Sequence, residues 1–115
     1  MPQELCVLGA GVVVVVAAGN DGIDACNNSP ASADKVITVG AINLKGKRPG
    51  FSNFGSCVDV YAPGTNVKSA WYQSDTDFNS ISGTSMSTPH VAGAAALVYA
   101  ANPTMSPDNV KSEVG

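Results

Sequence analysis

The chain has 115 residues, enough for one compact domain and too few for two. Hydrophobic residues make up 44% and charged residues 13%, a balance typical of globular and not of disordered proteins. The net charge of −3 excludes the basic surface expected of a nucleic-acid-binding protein, and the longest apolar run, Val12–Ala18, is too short to cross a membrane.

The first two thirds of the chain predict five strands, of which those at 12–18 and 36–41 are expected to be buried. Residues 12–18 are apolar throughout and rich in β-branched side chains, which indicates a parallel strand covered on both faces. A doubly wound sheet needs crossover helices, but no segment between residues 18 and 82 has helical periodicity. We therefore expect the strand at 12–18 to have neighbours that this chain does not supply. The other predicted strands are Val36–Ala41, Cys57–Tyr61, Asn66–Trp71 and Phe78–Ser82.

Two helices are predicted in the last third. An alanine-rich stretch without charges begins at Ser85 and runs to the dipeptide Asn102-Pro103. This composition predicts a helix that is buried on most of its faces. The tripeptide Ser106-Pro107-Asp108 predicts the start of a second helix, because it supplies a cap, a proline at the first position and an acid at the positive end.

The segment "GTSMSTPH" at 83–90 places a serine in a turn of small residues, five positions before the only histidine. A serine that opens a helix has its hydroxyl at the positive end and an N–H without an intrahelical acceptor, which suits acyl transfer. Local chemistry alone also fits a capping serine. Five residues along a helix is a rise of about 7.5 Å, too far for His90 to act as the base of Ser85. We therefore predict a structural role for His90.

Four motifs, in the same order, resemble the subtilisin-like serine proteases (the subtilases), and most closely their proteinase K-like branch. Segment 82–97, "SGTSMSTPHVAGAAAL", resembles the nucleophile segment, and 12–21, "VVVVVAAGND", resembles the strand and loop with the oxyanion asparagine. Segments 29–42 and 51–67 fill the interval. The resemblance implies an α/β fold, a partial three-layer αβα domain with a mostly parallel sheet, whose N-terminal half is missing. Residues 11–115 would be the C-terminal part of the catalytic domain, and 1–10 an atypical leader.

The same resemblance implies a serine endopeptidase that hydrolyses peptide and protein substrates through an acyl-enzyme at Ser85. The amide of Asn20 and the Ser85 N–H would form the oxyanion hole, and catalysis would need no cofactor. The family's catalytic aspartate and histidine lie in Asp-Ser/Thr-Gly and His-Gly-Thr-His segments, neither of which occurs here. We expect the chain alone to be inactive and the missing N-terminal half to be its partner. The residues expected to bind substrate are Ala17, Ala18, Gly19, Gly83 and Thr84.

Three cysteines without a C-x-x-C pair do not favour zinc, and they allow at most one internal bridge. The resemblance implies a disulfide between Cys26 and Cys57, where the alternative is two buried thiols, and leaves Cys6 without a predicted partner. A disulfide would imply an extracellular destination for the parent protein, although no secretory signal is visible at the start of the chain.

The resemblance also implies a structural calcium ion. Proteinase K-like enzymes hold calcium with an aspartate that matches Asp59 and with two backbone carbonyls that match those of Asp34 and Val36. Oxygen-only ligation suits this ion. The alternative for Asp59 is an ordinary solvated carboxylate.

Two rival interpretations remain open. Segment 7–16, "VLGAGVVVVV", has the first two glycines of a dinucleotide-binding fingerprint, but they precede the strand that they should follow. The stronger rival is a non-catalytic truncated remnant or interaction fragment of a protease. Such a chain would expose an apolar sheet edge and seek a partner.

Overall fold

A computed structural model describes residues 7–115 of the protein. Cys6 and most of the predicted leader lie outside the described residues. Three parallel strands form the centre of the fold, with β2 (Ile37–Ile42) between β1 (Val15–Ala17) and β3 (Val60–Pro63). The sequence-based expectation of an α/β fold with a mostly parallel sheet is confirmed.

The strands have different ends from those predicted. Hydrogen bonds between β1 and β2 extend one residue beyond each end of β1, because Val14 O accepts from Ile37 N and Ala18 N donates to Val39 O. They do not reach Val12, where the predicted strand begins. β3 begins three residues later than predicted, because Val58 N–H donates to Gly55 O within a turn and Cys57 is held by a disulfide. β1 is half-buried, since β2 is its one strand neighbour among residues 7–115.

Two further strands form a separate antiparallel hairpin. β4 (Val67–Ala70) pairs with β5 (Phe78–Ile81), so that Val67 lies opposite Ile81. The base of the hairpin is closed by Ser82, whose hydroxyl oxygen accepts a 2.9 Å hydrogen bond from Asn66 N. The hairpin therefore delivers the chain directly to Gly83, at the start of the first helix.

The long helix α1 (Thr84–Ala101) packs on the parallel sheet through Val91, which joins the core of Ile37, Val39 and Ala62. Its buried residues form one stripe, and Leu97 on another face is 75% exposed. The prediction of a helix buried on most faces is therefore wrong within residues 7–115, because no other element of this segment covers those faces. Among the described residues, no helix is both long and apolar enough to span a membrane.

The second helix, α2 (Pro107–Val114), begins where the sequence predicts. Ser106 is its N-cap and accepts a 3.3 Å hydrogen bond from Asn109 N, while Pro107 takes the first helical position. Val110 is completely buried, and Val114 packs against the core of the parallel sheet. These contacts hold α2 against the rest of the fold.

A disulfide joins Cys26 and Cys57, as the resemblance implies. Cys26 lies in a 3-10 turn, Ala25–Asn27, and Cys57 lies in the segment that leads into β3. The bridge flanks a second apolar cluster formed by Ala18, Ala25 and Ala31. It therefore ties the loops after β1 to the start of β3.

Replacing both Cys26 and Cys57 by serine is expected to lower the free energy of unfolding by about 3.5 kcal/mol. The bridge spans 31 positions, and closing a loop of that length removes conformational entropy from the unfolded chain. Urea unfolding of the oxidised protein and of the double variant measures the difference, with the reduced wild type as control. Equal transition midpoints for the oxidised protein and the variant would contradict the prediction.

Candidate active site

The start of α1 is shaped by Gly83, its N-cap. Gly83 has φ +156° and ψ +159°, a backbone conformation that is essentially restricted to glycine. Its N–H donates to Gly64 O over 2.8 Å, which fixes the turn between the hairpin and the helix. Ser85 is the second residue of the helix and is exposed, so its N–H belongs to those that have no intrahelical acceptor. The predicted nucleophile thus lies one residue inside the helix start.

Asn20 is joined to this helix start by its side-chain oxygen. Asn20 Oδ1 accepts hydrogen bonds of 2.8 Å from both the N–H and the hydroxyl of Thr84. Thr84 is completely buried, and its Oγ1 also accepts a 3.3 Å hydrogen bond from Gly19 N. Because the N–H and the hydroxyl of Thr84 both donate here, the oxygen of the Asn20 amide and not its nitrogen faces the helix. The Nδ2 of Asn20 is therefore directed away from Thr84.

The Asn20 amide nitrogen and the Ser85 backbone nitrogen both border the space beside Gly83. A Cβ atom built on Gly83 would lie 3.8 Å from Asn20 Nδ2 and 3.8 Å from Ser85 N. Any larger residue at position 83 would fill this space. Two N–H donors beside one position are what the predicted oxyanion hole requires.

The small residues predicted to bind substrate lie along the end of β1 and the loop that follows it. Ala17 is half-buried and Ala18 is completely buried, whereas Gly19 has φ +107° and reaches the buried Thr84. A side chain at Gly19 would collide with the side-chain amide of Asn53. The backbone of this loop therefore passes close to the helix start only because position 19 carries no side chain.

Asn53 supports this loop, and sequence reasoning did not single it out. It is completely buried, and its N–H donates to Gly19 O over 2.9 Å. Its Nδ2 donates to Ala18 O over 2.9 Å, and its Oδ1 accepts 3.0 Å hydrogen bonds from Asp21 N and Ile23 N. The one signal in the sequence is that the Asn53 amide lies between two aromatic residues, Phe51 and Phe54. The neighbouring residues do not show which groups this amide bonds.

An open cleft of about 360 Å³ lies beside Ser85. His90 is part of its lining, and His90 Nδ1 lies 2.8 Å from the carbonyl oxygen of Met86, which can only accept. That ring nitrogen is therefore engaged by the preceding turn of its own helix. The other lining residues are Val67, Lys68, Ser69, Met86 and Pro89, so β4 faces α1 across the cleft.

Two of the three residues predicted to hold calcium, Asp34 and Asp59, come together, but a lysine lies between them. Lys111 Nζ donates to Asp34 O over 2.6 Å and lies 3.5 Å from Asp59 Oδ1. Val36, the third residue predicted to hold calcium, follows Asp34 by two positions and is completely buried. The described part of the chain contains no group of three or more His, Cys, Asp or Glu side chains arranged for a metal. An ammonium group in contact with these oxygens does not fit a divalent ion at the same place. Calcium binding, which the family resemblance implies, therefore stays a prediction.

Comparisons with known proteins agree on one family. The profile of the Subtilase family matches residues 6–114. The chain is 56% identical over 105 residues to the "Extracellular serine proteinase" of Thermus sp. (strain Rt41A), covering 91% of this chain and 26% of that protein. It is 52% identical over 103 residues to "Alkaline serine exoprotease A" of Vibrio alginolyticus, covering 90% of this chain and 19% of that protein.

A solved structure gives the same result. The chain resembles a cold-adapted subtilisin-like serine proteinase with a TM-score of 0.89 and 47% identity, covering 94% of this chain and 39% of that one. The chain thus spans about a quarter or less of the length of the two curated relatives, and about two fifths of the solved one.

Proposed function

Because the chain belongs to the Subtilase family, we propose that it supplies the nucleophile and the oxyanion hole of a serine endopeptidase. Ser85 would attack the peptide carbonyl and carry the acyl group. The observation that supports this assignment is that Asn20 Nδ2 and Ser85 N both lie 3.8 Å from the position of a Cβ atom built on Gly83.

The proposed reaction follows from these positions. The Ser85 hydroxyl oxygen attacks the carbonyl carbon, and its proton passes to a base. The carbonyl oxygen becomes an oxyanion that receives hydrogen bonds from Asn20 Nδ2 and Ser85 N. Collapse of this intermediate expels the amine, which takes up the proton, and leaves an ester on Ser85 that water then hydrolyses. Each donor contributes about 3–4 kcal/mol to the transition state, a magnitude established on subtilisin and adopted from it.

We assign one side of the substrate-binding site to Ala17, Ala18 and Gly19, the positions that the family resemblance indicates. Small side chains there leave room for the substrate residue that precedes the cleaved bond. Gly83 and Thr84 complete this side, because a substrate backbone can approach the bare Gly83 and Thr84 fixes Asn20.

The base and the rest of the binding site are proposed to come from polypeptide outside residues 1–115. An apolar groove of about 340 Å³ between β1 and α1 is the proposed docking surface for that partner. β1 has a free edge among the described residues, and an unpaired strand edge favours pairing. The groove is lined by Gly11, Val12, Val13, Val15, Ala92, Ala95, Ala96 and Tyr99.

We also propose that the parent protein is exported. The Thermus relative is named an extracellular proteinase. The disulfide between Cys26 and Cys57 supports the same destination, because disulfides persist in oxidising compartments.

A non-catalytic role is the second candidate. The exposed apolar groove beside β1 favours it, since a fragment with this surface would bind a partner whether or not it takes part in catalysis. The two candidates differ in whether Ser85 becomes reactive once the domain is complete.

Labelling with a fluorophosphonate separates these candidates. The experiment uses the 115-residue chain and a hybrid proteinase, in which residues 11–115 replace the matching segment of the Thermus relative. We expect the chain alone to remain unlabelled, because its one histidine, His90, has its Nδ1 engaged by Met86 O and the family's catalytic histidine segment does not occur in the sequence. The hybrid proteinase should be labelled at Ser85, as located by mass spectrometry of its peptides.

Two variants of the hybrid proteinase serve as controls. Ser85→Ala should abolish the label, whereas His90→Gln should keep it, because His90 Nδ1 is engaged by Met86 O. A folded hybrid that stays unlabelled would favour the non-catalytic role. Labelling of the chain alone at the rate of the hybrid would mean that the base lies within these 115 residues.

A further inference from the structure

Asp34, Asp59 and Lys111 form a charged cluster that shares no residue with the candidate active site. Asp34 lies in the loop before β2, Asp59 immediately precedes β3, and Lys111 belongs to α2. A cleft of about 140 Å³ surrounds them, next to Cys57 of the disulfide. Three separate parts of the chain therefore meet at this cluster.

Each oxygen of the Asp59 carboxylate has its own partner. Oδ2 accepts a 2.8 Å hydrogen bond from Thr38 N, at the start of β2, and Oδ1 lies 3.5 Å from Lys111 Nζ. Lys111 Nζ also donates to Asp34 O over 2.6 Å. The side chains of Lys111 and Asp59 are only 25% and 24% exposed, so the charges are partly shielded from water. The ammonium therefore joins a carbonyl and a carboxylate in a half-buried site.

We propose that the ammonium of Lys111 takes the place of a metal ion here, and that this junction is stable without calcium. The oxygens of Asp34 and Asp59 are hard ligands of the type that calcium prefers. A calcium ion bound to both Asp34 O and Asp59 Oδ1 would occupy the position of the ammonium, which already contacts both atoms. It would also add two positive charges beside Lys111, where Asp59 is the one carboxylate in contact with that lysine among residues 7–115.

A second lysine provides a matched control. Lys35 Nζ lies 3.2 Å from Asp108 Oδ2, and this pair joins the same loop region to the same helix as Lys111 does. Its side chains are 57% and 61% exposed, however, and within the described part of the chain Lys35 makes no carbonyl contact comparable with that of Lys111 to Asp34 O. Exposed pairs of this kind contribute little to stability.

The test compares the melting temperature Tm of the 115-residue chain in millimolar CaCl2, in EDTA and in NaCl of equal ionic strength. We expect the same Tm for the wild type in all three. Lys111→Met keeps the aliphatic stem but loses the charge, and it should lower Tm in EDTA by about 5 °C. CaCl2 should recover most of this loss, because the freed oxygens can then bind the ion. Lys35→Met should change neither Tm nor its response to calcium.

A local measurement makes the test independent of any variant. The Thr38 amide donates to Asp59 Oδ2, so its NMR signal reports on a cation at this carboxylate. We expect no movement of this signal when wild type is titrated with CaCl2. A calcium-dependent shift, or a wild-type Tm raised above the NaCl control, would overturn the proposal. The proposal would also be overturned if CaCl2 did not raise the Tm of Lys111→Met. If that variant is unfolded in EDTA, a failure to fold when CaCl2 is added would overturn it in the same way.

Discussion

Replacing Asn20 by aspartate is expected to preserve the fold of the hybrid proteinase and to lower its kcat by a factor of about 10³ or more. An aspartate oxygen can still accept hydrogen bonds from the Thr84 N–H and hydroxyl, as Asn20 Oδ1 does. The Nδ2 donor near Ser85 N, however, becomes an oxygen that carries negative charge. An acceptor at that position repels the oxyanion instead of stabilising it.

The size of the effect has two parts. Loss of a single oxyanion donor lowers kcat by a factor of about 10²–10³, a range measured on subtilisin and taken over for this family member. Repulsion by the new carboxylate adds to it. KM should change little, because the lost interaction is made mainly in the transition state. Steady-state kinetics on a peptide substrate, with thermal unfolding of the same samples, measures both quantities.

Asn20→Ala is the control that separates catalysis from structure. Alanine removes the oxyanion donor and also the acceptor for Thr84, so it should lower kcat by about 10²–10³ and cost about 1–2 kcal/mol of stability. Asn20→Asp should be the more stable of the two variants and the less active. If Asn20→Asp kept kcat within tenfold of the wild type, Asn20 would serve only to hold the helix start.

The sequence predicted those parts of the fold that have a strong local signal. The β-branched run at residues 12–18, the alanine-rich stretch after Ser85 and the cap at Ser106 each specify an element within a few neighbouring residues. The boundaries of β3 were wrong because the turn at Val58 and the bridge at Cys57 compete with strand pairing. A disulfide between cysteines 31 positions apart cannot be predicted from local periodicity.

The candidate site could be predicted only through the family resemblance. Asn20 and Thr84 are 64 positions apart, and no local pattern shows that one holds the other. The same limitation hid Asn53, whose side chain bonds Ala18 O from 35 positions away, and Lys111, which reaches Asp34 O over 77 positions. In sequence, Lys111 looks like an ordinary cation in the last turn of a helix, where it complements the helix dipole. Its partners become visible only when the loop before β2 and α2 are brought together.

Replacing Asn53 by leucine is expected to lower the free energy of unfolding of the hybrid proteinase by about 4 kcal/mol. Leucine has nearly the same size, so the loss comes from polar groups and not from a cavity. The carbonyl of Ala18 and the N–H groups of Asp21 and Ile23 each lose a partner that is completely buried. Each such group costs about 1–3 kcal/mol, least where the loop can regain water.

The variant should also lose activity, because Asn53 holds the residues on both sides of Asn20. Its Nδ2 donates to Ala18 O, and its Oδ1 accepts from Asp21 N. With the side chain gone, Asn20 Nδ2 is no longer fixed above Gly83, and kcat should fall more than KM rises. Urea unfolding and peptide hydrolysis measure the two effects, with Asn79→Ala as control, since Asn79 is exposed on β5 and should change stability by less than about 0.5 kcal/mol.

The two readouts assign the role of Asn53 separately. A destabilised variant with normal kcat would show that Asn53 supports the fold but does not position the oxyanion donor. An Asn53→Leu variant as stable as the wild type would contradict the network itself, because three polar groups at a buried amide cannot all lose their partner without cost. Since the loop that Asn53 supports carries Asn20, the expected outcome is that stability and turnover fall together.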